Sequence, residues 1–148
     1  MNDFGNIFSN QILIASLVSC LLAQFLKIPF HRLIHKEWDI TRCIGSGGMP
    51  SSHSSSVCTL ATCVGITEGF ASSMFAIVVV FALIVMYDAS GVRKAAGEQA
   101  KILNRIIKKF EKQEFQIDNE LKELIGHTKP EVWAGALLGV VIGILFCL

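Results

Sequence analysis

Phe70 to Tyr87 runs without a single Lys, Arg, Asp or Glu, and an unbroken apolar stretch of that length is long enough to cross a lipid bilayer as a helix. Two other stretches share its character. Ile12 to Phe30 carries one charge, Lys27, near its end, where a long stem can snorkel to the interface, and as a helix it covers about 28 Å. Val132 to Leu148 is apolar, with Gly135, Gly139 and Gly143 at four-residue intervals along one face, a spacing that lets a neighbouring helix approach closely. A fourth stretch is weaker. Cys43 to Thr67 has no Lys, Arg, Asp or Glu, but it opens with Gly45-Ser46-Gly47-Gly48-Met49-Pro50. That opening reads as a loop, with a helix starting near Pro50 and stopping at the Glu68-Gly69 break.

The charges decide how these stretches are arranged. With four crossings, Lys27, Arg32, Lys36 and Arg42 fall in the first connector and the other nine of the 13 Lys and Arg fall between Arg93 and Lys129, so all share one side of the membrane. If the weak second stretch did not cross, they would be split four against nine, which the positive-inside rule disfavours. The expected topology has both termini outside and both basic connectors in the cytosol, in a plasma or inner membrane. Met1 to Asn10 lacks the positive cluster of a secretory signal, so the first stretch is expected to be a retained helix. Between Asp88 and Lys129, Ile102, Leu103, Ile106, Ile107 and Phe110 recur at helical spacing among Lys101, Arg105, Lys108 and Lys109. This predicts an amphipathic helix lying on headgroups or against a partner.

The expected fold is therefore an all-α integral membrane helical bundle, in one domain over 1–148. It has about four transmembrane helices near 10–34, 50–67, 70–88 and 130–147, and a cytosolic amphipathic segment over 90–126. Hydrophobic residues at 52% and charged residues at 17% agree with a chain solvated by lipid. A net charge of +1, with no interleaved basic and aromatic stripe, excludes nucleic acid as a partner. The five cysteines are scattered and form no CxxC pair, so they read as small core residues rather than zinc or redox ligands.

That topology gathers three unusual stretches at the cytosolic boundary. Gly47-Gly48-Met49-Pro50-Ser51-Ser52-His53 runs a glycine pair into a helix start, where free amides attract anions and glycine lets backbone approach a phosphate; alone, it also fits a turn with a Ser cap and a buried histidine. Asp88-Ala89-Ser90-Gly91-Val92-Arg93-Lys94 resumes charge directly after a span, which alone fits an interfacial anchor. Gly126-His127-Thr128-Lys129-Pro130-Glu131 enters the last helix with Glu131 four residues after His127. The carboxylate can take one ring nitrogen and leave the other free as base or nucleophile. Thr128 and Glu131 also match a capping box, with Pro130 in the first turn.

Taken together, Gly-Gly-Met-Pro-Ser-Ser-His at 47–53, Tyr-Asp-Ala-Ser-Gly-Val-Arg at 87–93, Gly97 with Gln99 and Asn104, and Leu-Lys-Glu-Leu-Ile-Gly-His at 121–127 followed by Glu131 resemble the divergent branch of the type 2 phosphatidic acid phosphatase and vanadium haloperoxidase superfamily. The resemblance implies that Pro50-Ser51-Ser52-His53 corresponds to the superfamily's PSGH motif, with Ser51, Ser52 and Gly48 binding phosphate and His53 acting as acid. It implies His127 as nucleophile, oriented by Glu131 in place of the usual Asp, with no metal or other cofactor. Two features depart from the pattern. Leu121 stands six residues before His127, where the superfamily has its phosphate-binding Arg, and a KxxxxxxRP motif is absent. Arg93, whose planar fork suits phosphate oxygens, or Lys122 with Lys27, would supply the missing cation, and Asp88 would have a structural or orienting role.

The activity implied is hydrolysis of a lipid phosphate or pyrophosphate at the cytosolic leaflet through a phosphohistidine, with membrane lipids as surroundings. Two alternatives stay open. One is a non-catalytic headgroup binder or scaffold with a degenerate site. The other is a metal-dependent hydrolase using His53, Asp88, His127 and Glu131 as ligands. Four short spans also leave room for a homodimer.

Overall fold

The helix richest in hydroxyl groups is the one at the centre. In the computed structural model, which describes residues 7–43, 45, 47–110 and 126–148, α2 (Ser52–Glu68) packs against α1 (Gln11–His35), α3 (Ser73–Ser90) and α5 (Lys129–Cys147). Inside a membrane no water is at hand to satisfy a hydroxyl, so each must find a partner within the bundle. Thr62 and Thr67 donate to the carbonyls of Cys58 and Cys63 in their own helix, at 2.8 and 2.9 Å. Ser55 Oγ meets Ser19 Oγ of α1 at 2.6 Å. Thr59 Oγ1 lies 2.7 Å from Ser19 Oγ and 2.9 Å from the Gly139 carbonyl of α5, joining three helices at one fully buried atom.

The glycine stripe explains how α5 gets close enough. A Cβ at Gly135 would stand 2.3 Å from the Ser51 carbonyl oxygen, one at Gly139 2.2 Å from that of Ser55, and one at Gly143 2.6 Å from Thr62 Cβ. No side chain fits there. The paired numbers rise together, so α5 runs parallel to α2. Ser19 meets Ser55 while Lys27 lies against Gly48, and Cys58 meets Met86 while Gly65 meets Phe75. Hence α1 and α3 run antiparallel to α2. The C-terminal ends of α1 and α3 and the N-terminal ends of α2 and α5 therefore share one end of the bundle.

Gln11–His35, Ser73–Lys108 and Lys129–Cys147 are long and apolar enough to cross a membrane. The 17-residue α2 is shorter and less apolar, because its lining is packed by protein on three sides. Its contacts with α3 nonetheless extend from Met86 to Phe75, carrying it through the same layer. No strand occurs among the described residues, and the architecture is an all-α membrane bundle.

The third helix starts at Ser73 rather than at the apolar boundary at Phe70. Ser72 caps it by accepting from Phe75 N at 3.1 Å, and the preceding turn folds Phe70 back over Gly65. At its far end α3 turns at Gly91 into the amphipathic α4 (Val92–Phe110), which packs on α3 alone among the described elements and leaves Ile102, Leu103 and Ile106 exposed. The remainder of the amphipathic segment expected to 126, up to residue 125, lies outside the described residues.

Candidate active site

Three backbone attachments at the shared end bring the unusual stretches together. His127 N donates to the Ala89 carbonyl at 3.0 Å, tying the approach to α5 onto the last turn of α3. Ser51 N donates to the Glu131 carbonyl at 3.0 Å, tying the start of α2 to the first turn of α5. Gly126 lies flat against the first turn of α4, where a Cβ would stand 2.4 Å from the backbone of Lys94. Residues distant in the chain, Ser51 and Glu131 most of all, are thus held by main chain, which is stiffer than side-chain contact.

On this frame sits His127, 3% exposed. Its Nδ1 lies 3.1 Å from Glu131 Oε2, so Nε2 is the ring nitrogen left outside that pair. The same carboxylate oxygen accepts from Thr128 N at 3.2 Å as part of a capping box with Pro130 in the first turn. Helix capping and imidazole orientation are therefore carried by one side chain. The His53 ring stands edge-on to His127 with centroids 6.2 Å apart, and unlike His127 it is exposed. Arg93 and Lys27 both lie within electrostatic reach of His53.

The expected phosphate contacts divide into three groups. Arg93 reaches the cluster from the first turn of α4, its Nε on Asp88 Oδ2 at 2.7 Å. That bond fixes the plane of the guanidinium, while the two Nη atoms lie outside it. Lys27 is 2% exposed and donates to the Gly45 carbonyl at 3.2 Å. Gly47 and Gly48 turn the loop beside it with φ of 89° and 83°, values that favour glycine. Ser51 faces inward instead. It is fully buried, its Oγ accepts from Ser54 N and Ser54 Oγ, and its carbonyl lies under Gly135. Ser52 is likewise buried, at 3%. Lys122 and Leu121 lie outside the described residues.

Two contributions were not legible in the chain. The Ala89 carbonyl positions His127 through main chain, which leaves no residue-type signal. A cavity of about 310 Å³ also opens on the α1 side of Glu131, lined by Lys27, His31, His35, Gly48, Met49 and Pro130 among others. The four-residue spacing of His31 and His35, whose rings stand 4.5 Å apart, was its one trace in the sequence.

The family model described as the divergent PAP2 family matches residues 8–142, nearly the whole chain. The chain belongs to the divergent PAP2 family. Within reach of that assignment is the "uncharacterized membrane protein YuiD" of Bacillus subtilis (strain 168), 37% identical over 147 residues that cover 92% of this chain and 93% of the relative. No solved structure matches the chain. The match of this divergent PAP2 chain runs from α1 to α5, and so takes in every helix end that contributes to the His127 cluster.

Proposed function

We propose that the protein is a membrane-embedded, metal-independent phosphatase of a lipid phosphate or pyrophosphate, working at the cytosolic leaflet through a phosphohistidine on His127. The observation that carries this reading is the buried His127 ring, held at Nδ1 by Glu131 and met edge-on by His53 with Arg93 nearby. In the proposed reaction Nε2 of His127 attacks phosphorus and the bond from phosphorus to the lipid oxygen breaks. The leaving oxygen takes its proton from His53, and water then cleaves the phosphorus–nitrogen bond with His53 as base. Glu131 holds the ring and stabilises the charge that it gains. The Nη groups of Arg93, aligned by Asp88, oppose the charge on the equatorial oxygens.

The carboxylates support the metal-free reading over a metal-dependent hydrolase, since Asp88 is paired with Arg93 and Glu131 with His127 and Thr128. The cytosolic side rests on the sequence bias that puts all 13 Lys and Arg in the two connectors expected on one side of the membrane. The test is phosphate release from a panel of lipid phosphates by the purified protein. Release is expected to resist chelators, to be inhibited by vanadate, and to be lost in His127→Ala while Arg105→Ala, at an exposed position of α4, retains it. Equal release by the two variants sinks the assignment. Tight lipid phosphate binding without release would instead favour a headgroup binder, a reading to which the engagement of Arg93 by Asp88 lends some support.

A further inference from the structure

Along the membrane layer, α3 and α5 each pack on α2 but touch one another only lightly, and the gap between them is an apolar groove of about 640 Å³. Its lining includes Cys58, Met86, Val140, Ile144 and, at its two ends, Trp133 and the Phe70–Phe75 pair. The few polar groups are already engaged along the wall, since Thr62 Oγ1 donates to the Cys58 carbonyl and Cys58 Sγ faces Met86 Sδ at 3.7 Å. The groove can therefore hold hydrocarbon, and it offers nothing to an ester or headgroup.

One end of the groove lies within a helical turn of the residues that carry the His127 cluster. Met86 precedes Asp88 and Ala89 by less than a turn, and Trp133 follows Glu131 by two residues. The opposite end is stopped. Phe70 lies over Gly65, within 2.6 Å of where a Cβ would stand, and Phe75 meets it edge to face at 5.2 Å. From Met86 to Phe75 the wall of α3 measures about 16 Å. A second copy in the same orientation would bring its own Arg93 and Lys94 beside the first, whereas an anionic lipid brings opposite charge to that end.

We propose that this groove seats the hydrocarbon chain of the lipid phosphate whose headgroup reaches His127, with the Phe70–Phe75 pair as an end stop that selects chain length. The inference rests on the phosphatase reading, and it extends that reading to the substrate class: a lipid phosphate recognised by one chain of limited length.

The experiment compares wild type, Val140→Phe, which fills the middle of the groove, and Phe75→Ala, which opens its floor, on n-alkyl phosphates of graded length in detergent. Wild-type turnover should rise with chain length to a limit. Val140→Phe should lower the ratio of long-chain to short-chain turnover by about tenfold or more, and Phe75→Ala should move the limit to longer chains. The same length profile in all three proteins overturns the proposal while leaving the phosphatase reading intact. If wild type releases no phosphate, that reading fails separately and a binding arm decides the groove. In a Trp38→Phe background, an alkyl phosphate brominated along its chain should quench Trp133 saturably, and adding Val140→Phe should weaken its binding by about tenfold. Equal quenching in both proteins, or equal quenching by a brominated alkanol, assigns the groove to ordinary surrounding lipid and overturns the proposal. Quenching that falls as the protein-to-detergent ratio rises assigns it to a second copy and does the same.

Discussion

Glu131 serves two purposes that a single substitution can separate. As the fourth residue of a capping box it satisfies Thr128 N, and as a carboxylate it holds His127 Nδ1. Glutamine can still cap but carries no charge to set the ring's tautomer, so Glu131→Gln should leave thermal stability within about 0.5 kcal/mol. Phosphate release should fall by about two orders of magnitude or more. A variant that keeps both would reduce Glu131 to a helix cap. Gly126 makes the complementary case, since a Cβ there collides with the backbone of Lys94 rather than with the end of a flexible side chain. Gly126→Ala should displace His127 from the Ala89 carbonyl and cost most of the activity; unchanged kcat and KM would show that the contact does not position the histidine. At this scale the sequence singled out His53, His127 and Glu131 by residue type and by the four-residue spacing of the last two, and the structure brings the three side chains together. It left two uses open for Ser51. A serine after Met49-Pro50 in a glycine-led turn fits a phosphate contact or a helix cap, and its hydroxyl goes to the cap of α2 while its carbonyl packs under Gly135. Which of two uses a serine finds depends on what packs above it, and a local motif does not contain that.

The α2–α5 pair is where element-level stability is concentrated. The stripe of Gly135, Gly139 and Gly143 advertised a close approach by some helix, and the structure supplies its partner in Ser51, Ser55 and Thr62. Gly139→Leu should therefore prevent α2 and α5 from closing and abolish the folded bundle, as read by cooperative unfolding in detergent or by protease resistance. Thr59→Val keeps the shape and removes the hydroxyl that bridges Ser19 to the Gly139 carbonyl. A loss of about 1 kcal/mol is expected, far milder than the glycine substitution. If Gly139→Leu unfolds no more easily than Thr59→Val, then α5 is not held by close backbone contact. The modest hydropathy of α2 is accounted for in the same way, because a helix surrounded by α1, α3 and α5 can exchange lipid-facing side chains for small and hydroxylated ones.

At the scale of the whole molecule, the 13 Lys and Arg all fall in the two connectors that the sequence assigns to one side of the membrane, and the topology proposed from that bias can be tested directly. A cysteine introduced as Arg105→Cys at an exposed position of α4 should react with a membrane-impermeant thiol reagent only after cells are permeabilised. Glu68→Cys, at the other end of α2, should react in intact cells. The reverse pattern would turn the protein over in the membrane and move the site to the outer leaflet. The sequence by itself determined that this chain lives in a membrane, roughly where three of its helices run, and which residues are the candidates for phosphoryl chemistry. Hydropathy, charge bias and residue type are local or additive properties, and they are readable one segment at a time. Only the tertiary structure decided that the least apolar of the four packed helices α1, α2, α3 and α5 is central, that α5 lies parallel to it, that Ala89 of α3 and Lys94 of α4 fix the Gly126-His127 segment, and that an apolar groove runs between α3 and α5. Each of these depends on which backbones approach within contact distance, and close approach is a property of pairs of segments that no single segment specifies.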